Sequence, residues 1–245
     1  MDNVQIIQKL LEYDSILHDK EVDFLERGYS NIPQANELLK SDPNAFLFAV
    51  IFDQGIQAER AWSAPNQLKK RLGHLNIPRI IKEGSNNIVN VCKMKPALHR
   101  YHYMGNWIWL AAKRLKENYN SNASNIWSSS PKALEVIKRL QEFKGIGQKK
   151  SNMAALLLYR DLKIPMKNLE GVDIAYDVHV RRVLLRTGLC KKDNIKHMIG
   201  TIRRYHPEFP AKLDGPLWHI GRNWCHARKV ECRKCVLKVV CPKIL

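Results

Sequence analysis

The 245-residue chain lacks any run of the about 18 consecutive apolar residues that a membrane span requires. It has no basic stretch ahead of an apolar run at its start (MDNVQIIQKLLEYDSILHDKEVD), so no secretory signal is expected and an intracellular location is. Period-two alternation is scarce, which argues against a sheet, and no repeat of solenoid length is found. Acidic residues are in short supply: 23 Asp and Glu stand against 41 Lys and Arg, a formal charge of +18. The deficit is uneven. Residues 1–50 hold four basic and nine acidic residues, so the net positive charge lies entirely in the rest of the chain. A field of that sign draws in polyanions, and nucleic acid is the expected partner. A merely soluble basic protein is the alternative. Apolar content of 45% is that of a globular chain able to bury a core.

What is present reads as helix. Ser41-Asp42-Pro43 precedes the apolar run Phe46–Phe52, with proline suited to the first helical position. Ile108, Ala111, Ala112 and Leu115 form one face of a helix over 104–119. Ala133, Val136, Ile137 and Leu140 recur at i, i+3, i+4, i+7 after Ser130-Pro131. Residues 118–130 and 160–176 read as irregular. The expected fold is all-α.

Two motifs carry chemistry. Phe143-Lys144-Gly145-Ile146-Gly147-Gln148-Lys149-Lys150 joins two helical segments. Two glycines around one apolar residue permit a tight turn that plugs Ile146 into the core and leaves amides for an anion such as a DNA phosphate. A plain structural turn is the competing reading. Lys149 stands in the first turn of the next helix, beside Lys150. The helix terminus, the second ammonium and partial burial would each favour a neutral, nucleophilic amine. Alternatively both lysines simply contact phosphate. The second motif is C-x6-C-x2-C-x5-C at Cys225, Cys232, Cys235 and Cys241. Clustered thiols signal a metal site. The spacers of six and five around one close pair suit a [4Fe–4S] cluster better than the paired ligands of structural zinc. His226 is read as a surface residue, and Cys92 and Cys190 as core. Seven Lys or Arg between 222 and 245, Arg222 among them, make either a solvated face or a phosphate-gripping one.

The hairpin, Lys149 and the cysteine loop, in this order, resemble the endonuclease III branch of the helix-hairpin-helix DNA glycosylases. The resemblance runs over about 45–242 and is densest at 143–155, 177–183 and 217–241. It implies two helical lobes: residues 45–160 with the hairpin (143–150), and 1–44 plus 161–245 ending in a [4Fe–4S] loop (225–241). By resemblance, Lys149 attacks the sugar C1′. Asp177, in Asp177-Val178-His179-Val180-Arg181-Arg182-Val183, is the catalytic carboxylate, with a helix N-cap as its other reading and Asp173 as its rival. Gln54 matches a glutamine that fills the gap left by a flipped base, though Asp53 and Gly55 beside it depart from the family's small residue and alanine. Leu98 or His99 falls where the family has a wedge, with core packing an equal reading for Tyr101 and Tyr103. Lys144 replaces the family's proline, and it joins Gly145, Gly147, Lys150 and Arg222 as an expected DNA contact. The implied function is a bifunctional glycosylase and AP lyase acting as a monomer on double-stranded DNA with a damaged base or abasic site. A monofunctional enzyme using water and a non-catalytic binding module are the alternatives. Spacing between Lys149 and Asp177 exceeds the family's, so 162–176 is expected either to reshape the base pocket or to lengthen a surface loop.

Overall fold

The computed structural model describes residues 3–19 and 29–244. Among these there are eleven α-helices, two short 3-10 turns and no strand. None of the described helices is long and apolar enough to cross a membrane. The described residues form two compact units: one holds those up to 19, 132–134 and 166–244, the other 29–131 and 135–165. This corrects the expected boundaries. Residues 29–44 pack with the hairpin, not with the cysteine loop, and the hairpin unit runs to 165. The reason is local. Helix α2 (Pro33–Ser41) buries Ala35, Leu38 and Leu39, and Asp42 both closes it and caps the next helix, so no linker intervenes.

In the hairpin unit, helix α3 (Pro43–Phe52) is apolar on every side, and Ala45 through Phe52 are all buried. Such a helix can only be central. Asp42 Oδ1 accepts from the amides of Asn44 and Ala45 at 2.9 and 3.3 Å, a cap worth about 1 kcal/mol. Against α3 lie α4 (Ala58–Leu72) and α6 (Met104–Asn118), the latter turning inward the expected Ile108, Ala111, Ala112 and Leu115. Helix α5 (Ile77–Lys93) meets α6 at Gly105, where a Cβ would stand 2.6 Å from Val89 Cα. Helix α7 (Ala133–Gln141), whose first two residues belong to the other unit, buries Ala133, Val136, Ile137 and Leu140, as its periodicity predicts. Helix α8 (Gln148–Arg160) follows the hairpin.

The cysteine unit is built from α1 (Asn3–Asp19), α9 (Val178–Arg186), α10 (Ile195–Tyr205) and α11 (Asp214–Asn223). Its core includes Ile6, Leu10, Val180, Leu184, Leu217 and Leu237. The irregular segment before α9 is no loose surface loop where it enters this unit: Val172 through Ala175 are buried. Arg203 grips Asp173 with two 2.7 Å bonds, and the Ala175 amide donates to Asp214 Oδ1 at 2.6 Å.

Candidate active site

The hairpin turns as its glycines predict, but only one of them needs positive φ. Gly145 sits at φ 88° with its Cα face on the Trp107 ring, where a Cβ would meet Cζ3 at 2.2 Å. Gly147 has φ −105° and open space around it, and it is the N-cap of α8. Having no side chain, it leaves the first-turn amides to an outside acceptor. Ile146 is buried, as expected. Lys144 is exposed and lines a groove with Lys113 and Arg114, balanced by Glu117 and Glu142.

The two lysines after the hairpin differ sharply. The Lys149 side chain is 43% exposed, and its Nζ lies 3.9 Å from Asp53 Oδ2; the Asp53 side chain is 12% exposed. Lys150 is the buried one. Its Nζ donates to Ile51 O at 2.8 Å and Gln54 Oε1 at 3.3 Å. Burial pushes its amine down to about 8, with Asp53 opposing and Lys149 adding to the shift. Lys150 is thus not the phosphate contact expected of it. As the third residue of α8, it leans back over the helix start onto the open carbonyls at the end of α3. The burial expected for Lys149 falls to its neighbour.

Gln54 is held from two sides, by Lys150 at its side chain and by His99 Nε2 at its carbonyl, 2.9 Å away. The Tyr101 amide donates to His99 Nδ1 at 3.0 Å. This pairing requires a neutral imidazole with its proton on Nε2. Burial lowers the His99 pKa in the same direction, opposed by its bond to Gln54. Leu98 and His99 are interior, 4% and 3% exposed, so neither presents a wedge at the surface. The reason is packing: Leu98 joins the apolar interior while His99 serves as a polar rivet. The loop's exposed members are Met94, Lys95, Pro96, Arg100, His102 and Tyr103. Tyr101 and Tyr103 stack with ring centres 5.2 Å apart, and Tyr103 continues to Trp107 at 4.6 Å, under the hairpin.

In the cysteine unit, Asp177 is the N-cap of α9. Its Oδ1 accepts from the amides of His179 and Val180 at 2.8 and 2.9 Å, while no described bond uses Oδ2. The rival Asp173 is committed to Arg203. Arg222 lies over the Trp218 ring, 4.9 Å from its centre.

Cys225, Cys232, Cys235 and Cys241 line one cavity walled by Val183, Ile220, Trp224 and Leu237. Among the described residues, no three His, Cys, Asp or Glu side chains close tightly enough to grip a single ion. Two arginines one turn apart on α9 fasten the loop. Arg182 reaches the carbonyls of Cys225 and Gly221, and Arg186 those of His226 and Ala227. Arg186 Nη1 also lies 3.6 Å from Cys225 Sγ. Backbone amides of Leu237 and Lys243 donate to Cys235 and Cys241 sulfurs. The Cys235 thiol is pushed up to about 11, first by burial, and the other three thiols add to the rise. Four thiolates there would need the countercharge of a bound cation. His226 points to Glu231 at 3.9 Å, and Cys92 and Cys190 are core, both as read from the sequence. The arginine clamp and Asp53 were not singled out by sequence; only the i, i+4 spacing of Arg182 and Arg186 hinted at the former.

No family model matches the chain. It is 25% identical over 205 residues to an endonuclease III of Sulfolobus acidocaldarius, with 82% of each chain covered. It is 29% identical over 133 residues to an endonuclease III of Buchnera aphidicola, covering 50% of this chain and 58% of the relative. Among solved structures, a non-covalent endonuclease III–DNA complex superposes with TM-score 0.68 at 18% identity, covering 99% and 97% of the two chains. A thermostable thymine-DNA glycosylase superposes with TM-score 0.64 at 14% identity, covering 97% of each. Similarity along four-fifths of the sequence and an all-helical fold shared over nearly the whole length lead to one placement: the chain is similar in sequence to endonuclease III proteins and has the fold of the solved endonuclease III structures.

Proposed function

We propose that the chain is a DNA glycosylase of base-excision repair that releases a damaged base from duplex DNA and then nicks the strand through Lys149. The observation that carries this is the hairpin: an uncapped helix start beside a half-exposed first-turn amine. The amides and Lys144 hold a backbone phosphate. The target nucleotide leaves the stack, since its C1′ is out of reach within it. Asp177, with one oxygen committed to its helix, stabilises the positive charge that develops on the sugar. Neutral Lys149 adds to C1′, the base departs, and the resulting iminium undergoes β-elimination. Arg222 and the basic residues around the cysteine loop grip phosphates, and the protein acts as a monomer.

The four cysteines would hold a [4Fe–4S] cluster, and the residues present fit it: one cavity, amide donors to two sulfurs, and an arginine at a third. When bound, it cross-links the loop and fixes the basic surface around it.

The Lys149–Asp53 pair favours a second reading, in which Lys149 stays an ammonium, contacts phosphate, and water attacks C1′. Borohydride reduction separates the two. On abasic-site DNA the protein is expected to give a covalent adduct that Lys149→Ala abolishes. Base release without an adduct from the unaltered protein establishes the water route, and an adduct that survives Lys149→Ala refutes the nucleophile.

A further inference from the structure

We infer that Asp53 is a further catalytic residue, the base that removes the C2′ proton in the strand-cutting step. This rests on the reading of Lys149 as the nucleophile. Asp53 lies at the end of α3, in the same unit as Lys149 and facing it, with Oδ2 3.9 Å from Nζ. In the iminium, that nitrogen is bonded to C1′ and still carries positive charge. The carboxylate–cation pair of the free protein is therefore the arrangement the intermediate inherits. C2′ is then two bonds from the nitrogen, and a carboxylate beside the nitrogen reaches its hydrogens. The other polar groups at this spot are committed. Lys150 is a cation or a donor tied to Ile51 and Gln54, and both nitrogens of His99 are bonded. The family resemblance assigns Asp53 no role; it stands where the family carries a small residue.

The step balances without any added reactant. Asp53 takes the C2′ proton, the C–H pair becomes a C1′–C2′ π bond, and the iminium π pair moves onto nitrogen. That pair then returns, a C2′–C3′ π bond forms, and the C3′–O bond breaks with the phosphate leaving on its electrons. The proton passes from the Asp53 carboxyl to solvent, and water later hydrolyses the imine and frees Lys149. Before the imine forms, the half-exposed ammonium can lose its proton to solvent directly.

The test uses the full chain in single turnover on duplex DNA with a preformed abasic site, following borohydride trapping and nicking separately. Asp53→Asn is expected to trap at close to the unaltered rate while nicking falls at least about tenfold, within the range a positioned base contributes. Asp53→Glu should recover part of the nicking. Nicking by Asp53→Asn at the unaltered rate overturns the proposal. So does loss of trapping and nicking together in a variant that melts normally, since Asp53 would then act before the imine. Should Asp53→Asn fail to fold, a 2′-deuterated site decides: Asp53→Glu must enlarge the isotope effect on nicking, and an unchanged effect overturns the assignment. Failure of the underlying reading looks different, because the unaltered protein would then give no adduct or Lys149→Ala would keep one.

Discussion

A buried amine at the start of a helix works against folding while it is charged, and Lys150 is such a group. Its folded value of about 8 lies below the ordinary lysine value of 10.5, with burial as the leading cause. Between those values the unfolded chain binds a proton that the folded chain lacks. Stability therefore rises as pH climbs through that window, and the penalty is fully present below it. Lys150→Met removes the titration and, with it, the donors to Ile51 and Gln54. The unaltered protein should gain on the variant by up to about 1.4 kcal/mol per pH unit within the window. Urea unfolding at about pH 7.5 and about pH 10 measures this; a stability gap that stays constant would show that Lys150 titrates normally. The sequence does place two lysines at this helix start. It does not show which is swallowed, because that depends on where α3 ends and how its last carbonyls face α8.

At the scale of the element, the hairpin divides stability from binding between its two glycines. Gly145 combines φ 88° with contact against Trp107, so Gly145→Ala adds left-handed strain to a steric collision. Together these should cost about 2–4 kcal/mol. Gly147 has an ordinary φ and no neighbour within 4 Å, so Gly147→Ala should leave the melting temperature almost unchanged. Its new methyl group stands beside the first-turn amides, however, and affinity for duplex DNA should fall several-fold. Thermal melting beside DNA titration checks the pair; equal losses of stability would refute the division. The G-x-G pattern gave the turn and the buried Ile146 but not this asymmetry, since Trp107 lies 38 residues away in sequence and reaches the hairpin only through the packing of α6. Helices α6 and α7 were legible because their buried faces follow the helical period, and α3 because Ser41-Asp42-Pro43 opens an unbroken apolar run. Leu98 and His99 were not, because a loop has no period to tell an inward side chain from an outward one. The membership of 29–44 was hidden for a related reason. Asp42 belongs to two helices at once, and composition shows no break there.

At the scale of the whole molecule, each unit has a core of its own, and the four cysteines sit beside only one of them. The loop meets its unit through Leu237 in the core, through Val236, Val240 and three of the cysteines packed against that core, and through carbonyls held by Arg182 and Arg186. Without a cluster, four half-buried thiols would surround a cavity with no cross-link between them. Binding energy from the metal is then folding energy for that unit, as in other small metal-stapled structures. Iron removal should therefore act unequally. Amides in 217–241 and on α9 should lose hydrogen-exchange protection, whereas those of α3, with Ala45 through Phe52 fully buried in the other unit, should keep theirs. Arg186→Ala should shift exchange in the loop the same way with the cluster still bound, to a smaller extent, because it removes the grip on His226 and Ala227 and the contact at Cys225. Exchange measured on brown, iron-loaded protein and on its colourless, chelated form makes the comparison. Equal loss of protection in α3 and α9 would mean that the two cores fold as one and that the cluster supports the entire chain.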